Sequence, residues 1–261
     1  PTEAGADFTG SYVYNVPATQ RRGGYSVVFN RTRKCALAVV EEAPVRVRVN
    51  QPKIGLAQNA VIDLEVEVER LNDYTGGVWI NAQWLPPNVS KPGPMVIPAG
   101  ETKGVYRLSA AGNAQPGAYK ITLTGREEKG GEQNSGTGFH YVASPPIDLQ
   151  IVQPYVELEM QRAAIERQTA GEITANIKHV RPLPSPATAK LLRLPAGVEL
   201  IQPATIKPGD KTVVFSLRVT KDALIGQYQQ IAGEITIQDN GQKITQQTGS
   251  GTLRIDAERT P

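Results

Sequence analysis

Four carboxylates stand at alternate positions in Val61-Ile62-Asp63-Leu64-Glu65-Val66-Glu67-Val68-Glu69. Acidic groups that close can hold a divalent cation or work as an acid and base pair. Here the spacing argues otherwise. A period of two puts all four on one side of a strand, with Ile62, Leu64, Val66 and Val68 on the other. The pattern predicts the wet face of a strand, not a site. The only histidines, His140 and His179, fall in different predicted strands, and both are expected at solvent or at a satisfied edge rather than as a base. Two histidines and the single Cys35 do not make the usual structural zinc set. Gly23-Gly24 and Gly130-Gly131 sit in hairpin turns and feed no helix, so neither reads as a phosphate loop. Asp239-Asn240 lacks the further oxygen ligands of a calcium loop. Asn30-Arg31-Thr32 and Asn88-Val89-Ser90 match the N-glycosylation triplet, a pattern common by chance. No catalytic residue, cofactor-binding residue or metal ligand is expected, and no cofactor. What remains is aromatic: Tyr74, Trp79 and Trp84 are the candidates for contact with a partner or a glycan.

Those aromatics need a scaffold, and composition narrows it. The chain has 261 residues, enough for two ordinary domains with cores of their own. Its 25 Gly and 20 Pro suit many short strands joined by tight turns. Net charge is only +3 and both signs are interspersed. The densest basic run, Arg31-Thr32-Arg33-Lys34, with Arg21-Arg22 nearby, reads as a charged strand edge or turn, so no nucleic-acid partner is expected. One cysteine permits no intrachain disulfide, and Cys35 lies in an apolar run to Val40 as a small buried residue would. No apolar run approaches the roughly 20 residues of a helical membrane span. The chain opens Pro1-Thr2-Glu3 without Met and reads as a processed chain or a piece of a longer one.

In chain order, Ser11–Val16 and Tyr25–Phe29 flank the turn Arg21–Gly24 as a hairpin, and Cys35–Val40 offers a third strand. Val45-Arg46-Val47-Arg48-Val49 alternates cleanly and ends before Gln51-Pro52. Ile147-Asp148-Leu149-Gln150-Ile151-Val152 does the same before Gln153-Pro154. These two are expected to open two successive domains. Val78–Trp84 forms a strand whose two tryptophans point to opposite faces, one into the core and the other outward.

The longest stretch of order runs from Leu85 to Gly125. Leu85-Pro86, Val89, Ile97, Gly100, Pro116-Gly117 and Tyr119 return as Leu194-Pro195, Val198, Ile206, Gly209, Ile225-Gly226 and Tyr228, each 109 residues on. The glycines supply turns, Val105/Leu108 and Val214/Leu217 are expected on core-facing strands, and each tyrosine is expected to bond back to the backbone at a strand corner. Asn240-Gly241 marks a hairpin. About seven short strands per unit, with turn signals every 8–12 residues, point to an immunoglobulin-like sandwich.

Leu-Pro-x-x-Val, then Ile-x-x-Gly, then Pro-Gly-x-Tyr with a strand ending at Gly125 resembles the bacterial immunoglobulin-like, or fibronectin III-like, repeats of large secreted and cell-surface proteins. The second copy departs at Ile225, where the first has Pro116. The resemblance implies an all-β fold of two tandem immunoglobulin-like β-sandwich domains, over 44–145 and 146–261, preceded by a strand-rich segment 1–43 that ends a partial unit. It implies an extracytoplasmic place: secreted, cell-surface or periplasmic. Such modules serve as spacers, adhesins, polymer subunits and enzyme appendages. The expected function is therefore a non-enzymatic scaffold, spacer or assembly subunit whose partners are other protein chains. A carbohydrate-binding accessory module with a polysaccharide ligand is the alternative.

Overall fold

The computed structural model describes residues 14–17, 29–32, 42–128 and 140–258. Residues 1–42 and 43–261 form two compact units. In the smaller, β1 (Tyr14–Pro17) pairs antiparallel with β2 (Phe29–Thr32), Tyr14 opposite Thr32. The expected turn Arg21–Gly24 and the apolar run Cys35–Val40 lie outside the described residues.

The larger unit is all-β, and the described residues contain no helix. Its first half comprises β3 (Val45–Val49), β4 (Leu56–Ala57), β5 (Ala60–Arg70), β6 (Val78–Ala82), β7 (Val89–Ser90), β8 (Met95–Ile97), β9 (Lys103–Ala110), β10 (Gly117–Ile121), β11 (Leu123–Glu127) and β12 (Val142–Ala143). After β13 (Ile147–Val152), the second half comprises β14 (Val156–Met160), β15 (Ala163–Glu166), β16 (Ala170–His179), β17 (Ala187–Leu192), β18 (Val198–Leu200), β19 (Ala204–Ile206), β20 (Thr212–Val219), β21 (Gly226–Asp239) and β22 (Gln242–Asp256).

In the first half, β3, β5, β9 and β7 lie in one sheet, and β12, β11, β6 and β8 in another. The sheets face each other closely: a Cβ on Gly125 of β11 would come within 2.4 Å of the Val47 side chain of β3. In the second half, β14, β16, β20 and β18 form one sheet, while β19, β17, β21 and β22 belong to a larger one. The pairings of the halves correspond at a separation of 109. Val78 faces Ile97 as Ala187 faces Ile206, and Val61 faces Ser109 as Ala170 faces Arg218. Val89 faces Ala110 as Val198 faces Val219.

Local chemistry accounts for the turns. Gly100 and Gly209 hold φ of 82° and 89°, and Asn240-Gly241 turn the last hairpin with both residues left-handed. Tyr119 donates its hydroxyl to Gln115 O at 3.1 Å, and Tyr228 to Leu224 O at 2.8 Å, the corner contacts the sequence predicts.

Three expectations are corrected. Ile147–Val152 does not repeat Val45–Val49. As β13 it pairs antiparallel with β10 and parallel with β4, while the strand that pairs with β16 as β3 pairs with β5 is β14. Alternation and a closing Gln-Pro look alike in a strand that opens a sheet and one that closes it. Neither tryptophan fills the core. That place belongs to Tyr106, fully buried on β9, and to Phe215 at the matching position of β20. Val105 and Val214 are 55% and 43% exposed. The reason is parity: residues three apart on a strand face opposite sides, so Leu108 and Leu217 turn inward with Tyr106 and Phe215 instead.

The two halves share a sheet. One edge of β5 pairs with β9 along Ala60–Glu67. The opposite edge carries β3 along Val66–Arg70 and, lower down, β22 of the second half, with Ala60, Val61 and Ile62 opposite Gln246, Thr245 and Ile244. The result is a nine-stranded sheet running through both halves.

Candidate interaction surface

The three candidate aromatics all lie on or beside β6. The strand alternates, so Val78, Ile80 and Ala82 are buried and Trp79 and Asn81 look outward. Trp79 sits opposite Arg126 of β11, whose guanidinium lies 4.6 Å from the indole centroid. Its face is thus covered by a cation–π contact from its own sheet. Tyr74 precedes the strand. Its hydroxyl donates to Gly77 O at 2.6 Å and accepts from Glu128 N–H at 3.0 Å, which pins the 72–77 loop to the end of β11. Burial pushes that phenol's pKa up. Trp84 follows the strand and is 83% exposed. The structure thus leaves one of the three, Trp84, with an open face. At the end of β6, Lys91 Nζ donates to Asn81 Oδ1 and Ala82 O.

The acidic ladder of β5 is a cross-strand ion-pair face. Asp63 accepts from Arg107 Nε at 2.7 Å, Glu67 meets Lys103 at 3.1 Å, Glu69 meets Arg46 at 3.3 Å, and Glu65 accepts from Asn50 at 3.0 Å. Hydrogen bonding and charge from Lys103 hold the Glu67 carboxyl below its ordinary pKa, and Glu67 raises that of Lys103 in return. A shallow cavity of about 160 Å³ lies here, lined by Arg46, Arg48, Glu67, Glu69, Thr102 and Lys103. Of its walls, Arg46 pairs with Glu69 and Lys103 with Glu67. Among the described residues no group of three or more His, Cys, Asp or Glu is placed to hold a metal ion.

His140 lies outside a strand, just before β12. Its backbone N–H donates to the buried Glu127 carboxylate at 3.0 Å, and its Nδ1 lies 3.1 Å from the same group. Burial alone would raise the Glu127 pKa, but the hydrogen bonds from its own and the His140 backbone and the His140 ring outweigh it and hold the carboxyl below the ordinary value. His179 ends β16 with Nε2 2.8 Å from Asp210 O. At the matching position Arg70 donates to Glu101 O at 2.5 Å. Both side chains close a turn, and neither meets a nucleophile.

Sequence reasoning missed the junction between the halves. Gln246 of β22 stands opposite Ala60 of β5 and is fully buried, and its side chain ties β22 to the start of β14 within the second half: Oε1 accepts from Tyr155 N–H at 2.9 Å and Nε2 donates to Val156 O at 2.5 Å. Tyr155 is buried as well, donates to Asp239 at 2.9 Å and receives the Arg181 guanidinium 4.4 Å above its ring. Gln51 clasps Asp148 through both backbone groups, and Lys53 N–H donates to Gln242 at 2.6 Å. The signal in the sequence is faint: a glutamine at the inward parity of Ile244 on an alternating strand.

No protein-family model matches the chain. No curated protein matches it. Among solved structures, a protein of unknown function from Porphyromonas gingivalis W83 is similar at 13% identity and a TM-score of 0.26, over 81% of this chain and 100% of that one. The D0-D1 domain of Intimin is similar at 12% identity and a TM-score of 0.26, over 80% of this chain and 97% of that one.

Proposed function

We propose that the chain is a non-catalytic structural and interaction protein. In this reading, two immunoglobulin-like sandwiches in tandem act as scaffold, spacer or subunit of an extracytoplasmic surface or fibre assembly, with other protein chains as partners. The observation that carries it is the matching of strand pairings at a separation of 109, fused into one sheet through β22 and β5. A module joined to its neighbour through a continuous sheet holds a fixed spacing and orientation, which suits a scaffold. The charged groups singled out by sequence are spent on ion pairs and turn closure, which fits a structural role. The test is location and company in the source cells. Antibody labelling is expected at the cell surface or in the periplasm, and crosslinking is expected to recover the protein in a high-mass assembly. A cytoplasmic protein that crosslinks to nothing would refute the reading.

A second reading, a carbohydrate-binding accessory module, is favoured by one observation, the open indole of Trp84. Binding on a glycan array that is lost in Trp84→Ala would establish it, and no binding to any polysaccharide would remove it.

A further inference from the structure

The β5 edge that β22 covers has a counterpart in the second half. Asn59, Ala60, Val61 and Ile62 correspond to Gln168, Thr169, Ala170 and Gly171, and Asn59 and Gln168 share left-handed φ of 56° and 59°. In the first half this edge is occupied: Asn59 O accepts from Gln247 N–H at 2.8 Å, and Ala60 and Ile62 are buried. In the second half β20 takes one side of β16 from Ala170 to Asn176, and β14 covers the other only from Ala175 to His179. Among the described residues no strand pairs with the remaining edge. Gln168, Thr169, Ala170 and Glu172 are exposed.

The direction of the backbone groups there follows from two hydrogen bonds. Glu65 O accepts from Asn50 N–H on this side of β5, and Thr174 O accepts from Gln161 N–H on the matching side of β16. Alternation then turns the N–H and C=O of Ala170 and Glu172 toward the open side. An uncovered edge of this kind is a template for another strand.

What the edge fits is shown by what fills its counterpart: the hairpin of an adjoining module, entering antiparallel. In the first half the hairpin in that position is β11 and β12, and the chain leading into β12 carries Tyr141, 66% exposed. We propose that the Gln168–Glu172 edge of β16 receives a second copy of this chain, through the side of its β11–β12 pair, continuing the sheet as β22 continues β5. The inference rests on reading the halves as equivalent modules. The two surfaces differ, so the contact is heterologous, and repeated use builds an open row of copies rather than a closed dimer. It is a weak contact. Inside the chain the junction is tethered, with an effective concentration of order mM, and free copies lack that tether.

The test is sedimentation velocity on the full chain up to ~1 mM, the scale of that lost tether. The expected result is a weight-average mass that climbs with concentration past the dimer without a plateau. Ala170→Pro removes an outward N–H and should return the chain to monomer with an unchanged melting temperature. Should that variant fail to fold, Ala170→Lys, which puts a charge on the edge, is expected to give the same loss of association. A wild-type monomer across the whole range would overturn the inference, and so would association that persists in the folded variant. Either result leaves the surface-assembly reading to its own cellular test.

Discussion

Replacing Gln246 by Leu tests whether β22, the strand that pairs with β5, is held against β14 by hydrogen bonds or by burial alone. The side chains are close in size, so packing changes little. Two backbone groups lose their partners: the N–H of Tyr155, which is 1% exposed, and the C=O of Val156, which is 0% exposed. A buried polar group left unsatisfied costs about 1–3 kcal/mol, so the pair amounts to about 2–6 kcal/mol, less about 1 kcal/mol for the apolar gain of the leucine. For a unit of this size each kcal/mol moves the melting temperature by about 2–4 °C, so a fall of roughly 2–20 °C is expected from a net loss of about 1–5 kcal/mol. Calorimetry and urea unfolding of wild type and Gln246→Leu provide the measurement. Gln246→Glu sharpens it. A carboxylate accepts from Tyr155 N–H but cannot donate to Val156 O, whereas the protonated acid can do both. That variant should therefore recover part of its deficit relative to wild type as pH falls through the range where the buried acid takes up its proton. A loss below about 1 kcal/mol in Gln246→Leu would refute the reasoning, because it would mean the two groups find other partners or were never out of water.

Three further outcomes follow from the geometry. The Glu127 carboxyl has a folded pKa below its ordinary 4.5, so its contribution is present above that pH and disappears as pH falls through the folded value; urea midpoints of wild type and Glu127→Gln should differ at pH 7 and converge in acid. Gly125→Ala would bring a Cβ to 2.4 Å from the Val47 side chain and should cost about 1–3 kcal/mol by urea unfolding, with Val47→Ala in the same chain restoring part of it. Trp84→Ala, at an exposed position, should change stability by no more than about 0.5 kcal/mol, so any loss of ligand or partner binding in that variant reports on recognition and not on folding.

Much of the local structure was legible because it depends on near neighbours. The alternation of β5 put its carboxylates in water and its aliphatics in the core, Gly100 and Gly209 marked turns, and the corner tyrosines bond where their spacing places them. Errors arose where a residue's role depends on partners far along the chain. β13 has the pattern of an opening strand, yet it joins β10 and β4. Trp79 has the size of a core residue, but the parity fixed by Val78 and Ile80 turns it out against Arg126. Of the candidate contact residues, the loop position of Tyr74 and the strand position of Trp79 were readable, whereas Trp84, expected on the same strand, lies past its end at Ala82. The covering of Trp79 and the anchoring of Tyr74 were not, because Arg126 and Glu128 come from a strand some 50 residues away.

The pairing of β22 with β5 also sets an order of events during synthesis. Roughly 180 residues separate Ile62 from Ile244, and at 5–20 residues per second a ribosome needs on the order of 10–40 s to make them. Until then the lower edge of β5 lacks the strand that finishes it. The first half of the chain must therefore fold against its own sheets while one edge is still open to a neighbouring nascent chain. Completion waits on β22 to emerge, so a truncation before Ile244 would expose an edge in the other half of the chain as well as removing its own strand.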